Sequence, residues 1–194
     1  VKIHLFAFLY ILLLSCVLGL GACNPLNSNQ NQEEKKYFQL AQFVKNQSNL
    51  LEKQKPKVSK KVLLDGNTQT LFTDSIDWTK ELALFTESDI NSPSLVNSYD
   101  IKQENNTLIY TAKESKLKIR EIQLLFGGNG AIEDVNVEQV NIVYAEDNQL
   151  YEIKRVIKMQ LKDGLLSFYS IKGFQKVAFK DSLVYGIEAI VNNK

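Results

Sequence analysis

The side chains best suited to covalent or metal chemistry are crowded at one end of the sequence. Among its 194 residues the chain has one histidine, His4, and two cysteines, Cys16 and Cys23. Downstream of Cys23 there is neither an imidazole nor a thiol. A Ser-His-Asp or Cys-His nucleophile cannot be assembled there, because each needs an imidazole to take the nucleophile's proton. Zinc sites built from His and Cys, and intrachain disulfides, are excluded on the same ground. Carboxylates remain, so a calcium site of oxygen ligands or a hydrolase working with two acids survives this test. Glu133-Asp134 and Glu146-Asp147 cluster acids near turns. Their spacing fits no EF-hand loop, and solvated turns are the expectation. No metal and no cofactor is expected.

The two cysteines sit at the ends of apolar stretches. Ile3 to Ala22 form one apolar run, broken only by His4, Tyr10 and Ser15, with Lys2 ahead of it. A short basic segment, an apolar segment and a small-residue end are the marks of a secretory signal. The run closes Leu20-Gly21-Ala22-Cys23, which resembles a lipobox, the site read by the bacterial lipoprotein-processing pathway. The resemblance implies cleavage between Ala22 and Cys23, and lipid carried on the Cys23 thiol as a membrane anchor. Residues 1–22 then form a signal peptide, 23–32 a lipidated tether and 33–194 a single α+β domain. Two alternatives stay open. The run is close to the roughly 20 residues that span a bilayer, so it could remain as a transmembrane anchor. Leu13-Leu14-Ser15-Cys16 also resembles a lipobox, with Cys16 as the acylated residue.

With Lys2 set aside, 22 basic side chains oppose 22 acidic ones. That balance argues against a general nucleic-acid binder, which needs a basic excess to displace counterions from phosphates.

The elements follow from hydrophobic period. Asn24 to Gln32 is polar and lacks a core-forming pattern, so a tether is expected. From Glu33 to Gln54, Tyr37, Leu40, Ala41, Val44 and Leu51 recur at helical spacing, with Phe38, Phe43 and Leu50 widening the stripe. Pro56 ends that helix. The period then changes to two: Val58, Lys60, Val62 and Leu64 alternate up to Asp65-Gly66, a hairpin signal. Asp74 or Asp77 can cap a second, short helix on which Trp78, Leu82 and Phe85 follow i, i+4, i+7. From Ser98 onward the chain reads as consecutive strands separated by short turns. The expected fold is α+β: a curved antiparallel meander of about seven to nine strands, forming a half-barrel or folded-over sheet, with the N-terminal helix covering it. One strand shows the logic: Ile153, Ile157, Met159 and Leu161 share one parity with Arg155, while Lys154, Val156, Lys158 and Gln160 share the other. One face should be covered and the other largely solvated. Glu138-Gln139 and Gly173 are expected as bulges.

Several short motifs compete with plain structural roles. Gly127-Gly128-Asn129-Gly130 lacks the Lys-Ser/Thr of a phosphate-binding loop and precedes a strand, so a hairpin turn is expected. Lys57, Lys60 and Lys61 could face anionic lipid, or guard an edge strand. Asp74-Ser75-Ile76 and Asp181-Ser182-Leu183 resemble the Asp-Ser/Thr-aliphatic acceptor pattern of protein O-glycosylation in Bacteroidetes-type bacteria. That resemblance makes Ser75 and Ser182 candidate acceptors, although Asp-Ser is also a natural cap or turn pair.

Three segments, Ile76 to Phe85, Tyr110-Thr111-Ala112 and Tyr169 to Lys176, resemble small lipoproteins of Bacteroidetes-type bacteria. The resemblance implies a lipid-anchored place in the envelope, at the outer membrane of a Gram-negative cell. It brings no activity and no site residue. The leading expectation is a non-enzymatic binding or structural module whose protein or lipid ligand is unidentified. A carrier of lipid or lipoprotein acyl chains in a half-barrel cavity is the alternative, and a carboxylate-based glycan hydrolase the third. The interior separates them: a filled core, an open apolar groove or an acid-lined cleft.

Overall fold

A computed structural model describes residues 36–127 and 137–193. Cys16, Ala22, Cys23, the tether, Gly128 to Gly130 and Glu133-Asp134 lie outside the described residues. The described residues belong to one compact unit, Lys35–Lys194.

Helix α1 spans Leu40–Gln54. The strands are β1 Lys57–Leu64, β2 Asn67–Thr73, β3 Tyr99–Glu104, β4 Thr107–Ala112, β5 Ile119–Phe126, β6 Val137–Asp147, β7 Tyr151–Lys162, β8 Leu165–Val177 and β9 Leu183–Asn192. Between β2 and β3 run two single-turn helices, α2 Trp78–Glu81 and α3 Ala83–Thr86, and a 3-10 turn at Pro93–Leu95. All nine strands form one antiparallel sheet in the order β2-β1-β9-β8-β7-β6-β5-β4-β3. It does not close into a barrel: β2 and β3 are its two ends.

The hairpin expected at Asp65-Gly66 is present. Both residues have positive φ, 48° and 83°, the backbone a tight two-residue turn requires. The short helix is capped by Asp77, whose Oδ1 accepts from the Lys80 amide at 3.1 Å. Trp78, Leu82 and Phe85 are all buried, as their spacing requires.

The start of α1 differs from expectation. Residues 36–39 are not helical. The Tyr37 amide donates to Asn91 Oδ1, the Phe38 amide to the Tyr110 hydroxyl, and the Ala41 amide to Asp89 Oδ2 at 2.7 Å. Those partners lie 48 or more residues away. They hold residues 36–39 outside the helix and then cap it, since a helix otherwise leaves its first amides unpaired. Tyr37 is thereby inserted edge-on between Tyr99 and Tyr110, with ring centroids at 5.8 and 5.4 Å.

The sheet has one covered face. Cross-strand neighbours on it run Val62, Ile187, Ile171, Ile157, Ile142, Ile122 and Tyr110 from β1 to β4. The next row runs Lys60, Ala189, Tyr169, Met159, Val140 and Leu124. Leu40, Val44 and Leu51 of α1 are buried with Leu82, Phe85, Met159 and Leu166 in a single core. On the opposite face Val156 is 55% exposed and Ile190 55%.

Of the two expected bulges, one is present and one is not. Glu138 is an extra residue in β6, since Leu125 pairs with Gln139 and Phe126 with Val137. Gly173 is not a bulge: it pairs in register with Arg155 and with Tyr185. Its lack of a side chain serves close approach instead, because a Cβ there would lie 2.5 Å from the Lys154 carbonyl oxygen. Nor is β1 an edge strand guarded by lysines. It lies between β2 and β9, and the true edge, β2, reads Asn-Thr-Gln-Thr-Leu-Phe-Thr without a charge.

Candidate functional site

The covered face divides into two ends, and each carries a carboxylate held by tyrosine and lysine. Under the helices the acid is Glu81. Lys60 reaches it at 2.6 and 2.9 Å, and the Tyr169 hydroxyl donates to it at 2.6 Å. Lys60 and Tyr169 are both in register with Ala189, one on each side. That small residue separates them, and Glu81 bonds to both across it. The Lys60 and Glu81 side chains are 18% and 17% exposed, and Tyr169 is fully buried. Burial, and then the Glu81 carboxylate, drive the Tyr169 hydroxyl far above its ordinary pKa. The trio is a clamp that ties α2 to the sheet.

Beyond the helices the same face is half exposed. Tyr144 and Tyr151 donate their hydroxyls to Glu146 at 2.6 Å each, and Lys118 pairs with it at 2.9 Å. The Tyr144 hydroxyl, then Tyr151 and Lys118, pull the Glu146 carboxyl down to about 2. The Tyr144 hydroxyl is raised, chiefly by burial, and that of Tyr151 chiefly by its bond to Glu146. Beside them Arg155 lies 4.9 Å from the Tyr144 ring centroid and donates Nε to the Tyr185 hydroxyl at 2.6 Å. Aromatic faces attract guanidinium, and the hydrogen bond fixes its rotation.

The residues singled out from sequence fall differently. Ser75 and Ser182 are exposed, in the turns before α2 and β9. Asp77 rather than Asp74 is the helix cap. Glu146 is not a solvated turn acid but the closing residue of a hydrogen-bonded cluster in β6. Among the described residues no group of three or more His, Cys, Asp or Glu could hold a metal ion. Among them too, no helix is long and apolar enough to cross a membrane. Of the three lysines, Lys60 is spent on Glu81, while Lys57 and Lys61 are exposed.

Sequence reasoning passed over Arg155, although a signal was present. Only two of the 23 basic residues are arginine, Arg120 and Arg155. Arg155 has the parity of apolar residues, and a charge at a core-facing parity asks for a partner. Arg120 is the extra residue of a second bulge in β5, since Ile119 pairs with Tyr144 and Glu121 with Val143.

The interior matters for the carrier expectation. Where the helices lie over the sheet, Trp78, Leu82, Phe85, Leu40 and Val44 are at most 2% exposed, and their side chains pack against the strands as core. On the opposite face a shallow hollow of about 370 Å³ opens above Gly186, rimmed by Lys61, Leu63, Thr68 and the Lys172–Glu188 ion pair.

Comparison with known proteins adds no relative: no family model, no curated protein and no solved structure matches this chain.

Proposed function

We propose that this chain is a non-enzymatic binding module of the bacterial cell envelope, held to a membrane by lipid on Cys23 and presenting the uncovered end of its sheet to a ligand. The observation that carries the binding reading is the array of Arg155, Tyr144, Glu146, Tyr151 and Tyr185, fixed by mutual bonds of 2.6 Å on a stiff sheet and left open by the helices. Preorganised polar and aromatic groups beside apolar ones are what a binding surface needs. The same bonds speak against acid–base chemistry. A general acid or base works best with a pKa near the working pH, and here Glu146 is held down near 2 while its tyrosine partners are raised. The anchor rests on the Leu20-Gly21-Ala22-Cys23 motif.

The anchor is tested by expressing the full chain in a Gram-negative host fed labelled palmitate. The wild type should carry label and sediment with membranes, and Cys23→Ser should lose the label. Label that persists in Cys23→Ser and disappears in Cys16→Ser would move the anchor to Cys16. A wild type without label overturns the lipoprotein reading.

A further inference from the structure

Arg155 is half-buried, and among the described residues it has no counter-charge. Its side chain rises from β7 on the covered face, next to Gly173 in register. A Cβ at Gly173 would stand 3.1 Å from Arg155 Cγ and 3.1 Å from the Tyr185 hydroxyl. Glycine therefore keeps open the gap across which Tyr185 reaches Arg155. That contact uses Nε, and the Tyr144 ring takes the flat face of the guanidinium. The two terminal nitrogens make no hydrogen bond to any described residue, and no described carboxylate is within ion-pair range. The acid of this end of the face, Glu146, is already engaged by Tyr144, Tyr151 and Lys118. Half-buried cations are ordinarily paired, because desolvation is otherwise uncompensated. Here the protein orients the guanidinium from two sides and leaves its outer edge without a partner among the described residues.

We propose that this outer edge of Arg155 binds the carboxylate of a singly charged ligand with an apolar body. The inference names a ligand class for the binding reading above and rests on it. The planar pair of terminal nitrogens matches the two oxygens of a carboxylate. Lys118 offsets Glu146, so Arg155 leaves one positive charge, which suits a monoanion. A phosphate dianion would exceed the single positive charge left here, which disfavours it. On the same face, Ile153 stands two residues before Arg155 in β7, and Leu183 pairs with Gln175, the neighbour of Ile153. Leu183 is 41% exposed, so an apolar body has surface to cover.

Two arginines give two Nε–Hε signals in a nitrogen-15 spectrum of the full-length protein in non-ionic micelles. Arg155→Lys removes one of them and so assigns it. Benzoate and N-acetylphenylalanine are the probes, with benzamide and inorganic phosphate as controls. The Arg155 signal should move saturably with a carboxylate probe and stay still with benzamide. Tyr185→Phe should weaken the response by about tenfold, the worth of roughly one well-placed hydrogen bond. Tighter binding of N-acetylphenylalanine points to a peptide C-terminus as the source, and tighter binding of benzoate to a small acid. No saturable shift with either carboxylate overturns the proposal, as does an equal response to benzamide or phosphate. The palmitate experiment reads the anchor alone, so failure of the anchor and failure of this site are distinguishable.

Discussion

Glu81 and Glu146 use the same chemistry at two ends of one sheet face. Each accepts a tyrosine hydroxyl at 2.6 Å and pairs with a lysine. They differ in what they join. Glu81 bonds to Tyr169, 88 residues away, and to Lys60, 21 away, and so ties a helix to a sheet. Glu146 takes its hydroxyls from Tyr144 and Tyr151, two and five residues away, within one β-hairpin. Both acid side chains are 17% exposed, and it is their lysines that differ in water. The Lys60 side chain is 18% exposed, the Lys118 side chain 60%. Losing one member of a pair removed from water strands the other without a partner, whereas a pair with an exposed member is screened and replaceable. One motif is therefore a structural clamp in one place and a surface feature in the other, and the helix cover decides which.

The largest effect should come from breaking the clamp on one side. Glu81→Ala leaves Lys60 and the Tyr169 hydroxyl buried without their acceptor and should destabilise the domain by about 3–5 kcal/mol, measured by denaturant unfolding. A loss below about 1 kcal/mol would mean that the clamp is loose and the comparison fails. Replacing both charges sharpens the same point. Lys60→Met with Glu81→Leu removes the desolvated pair along with its attraction, and the double variant should recover most of the loss, to within about 1–2 kcal/mol of wild type. If the double variant is as unstable as Glu81→Ala, the pair is attractive in its own right.

The smallest effect belongs to Glu146. Its folded pKa is lowered from the usual 4.5 to about 2. A lowered acid contributes stability above its unfolded pKa and loses it as the pH falls toward its folded one. Wild type should therefore melt above Glu146→Gln at pH 7 and lose that advantage between about pH 4.5 and 2. Parallel acid curves would show that Glu146 gains nothing from its three donors.

The covering stripe of α1, the Asp65-Gly66 hairpin, the Trp78, Leu82, Phe85 face and the solvated side of β7 were all legible, because each is a local period or a local turn requirement. The Glu146 cluster was half legible, since Tyr144 and Glu146 are two apart on one strand and must share a face. The Glu81 clamp was not. Neither Lys60 nor Tyr169 announces a carboxylate that arrives from another element.

By itself the sequence determined the fold class, the side of β7 that meets the core, and the absence of imidazole and thiol beyond Cys23. These depend on periodicity and composition, which operate residue by residue. The tertiary structure decided where α1 begins, because Asp89 and Asn91 supply bonds the local sequence lacks. It decided that β1 is interior and the uncharged β2 is the edge, because strand order depends on which distant strand arrives beside it. It decided as well that Gly173 is a gap for Tyr185 rather than a bulge, and that Arg155 is held by Tyr185 and Tyr144 with no described carboxylate beside it. Such outcomes turn on which side chains meet across strands, and proximity between strands is set by the packing of the whole sheet.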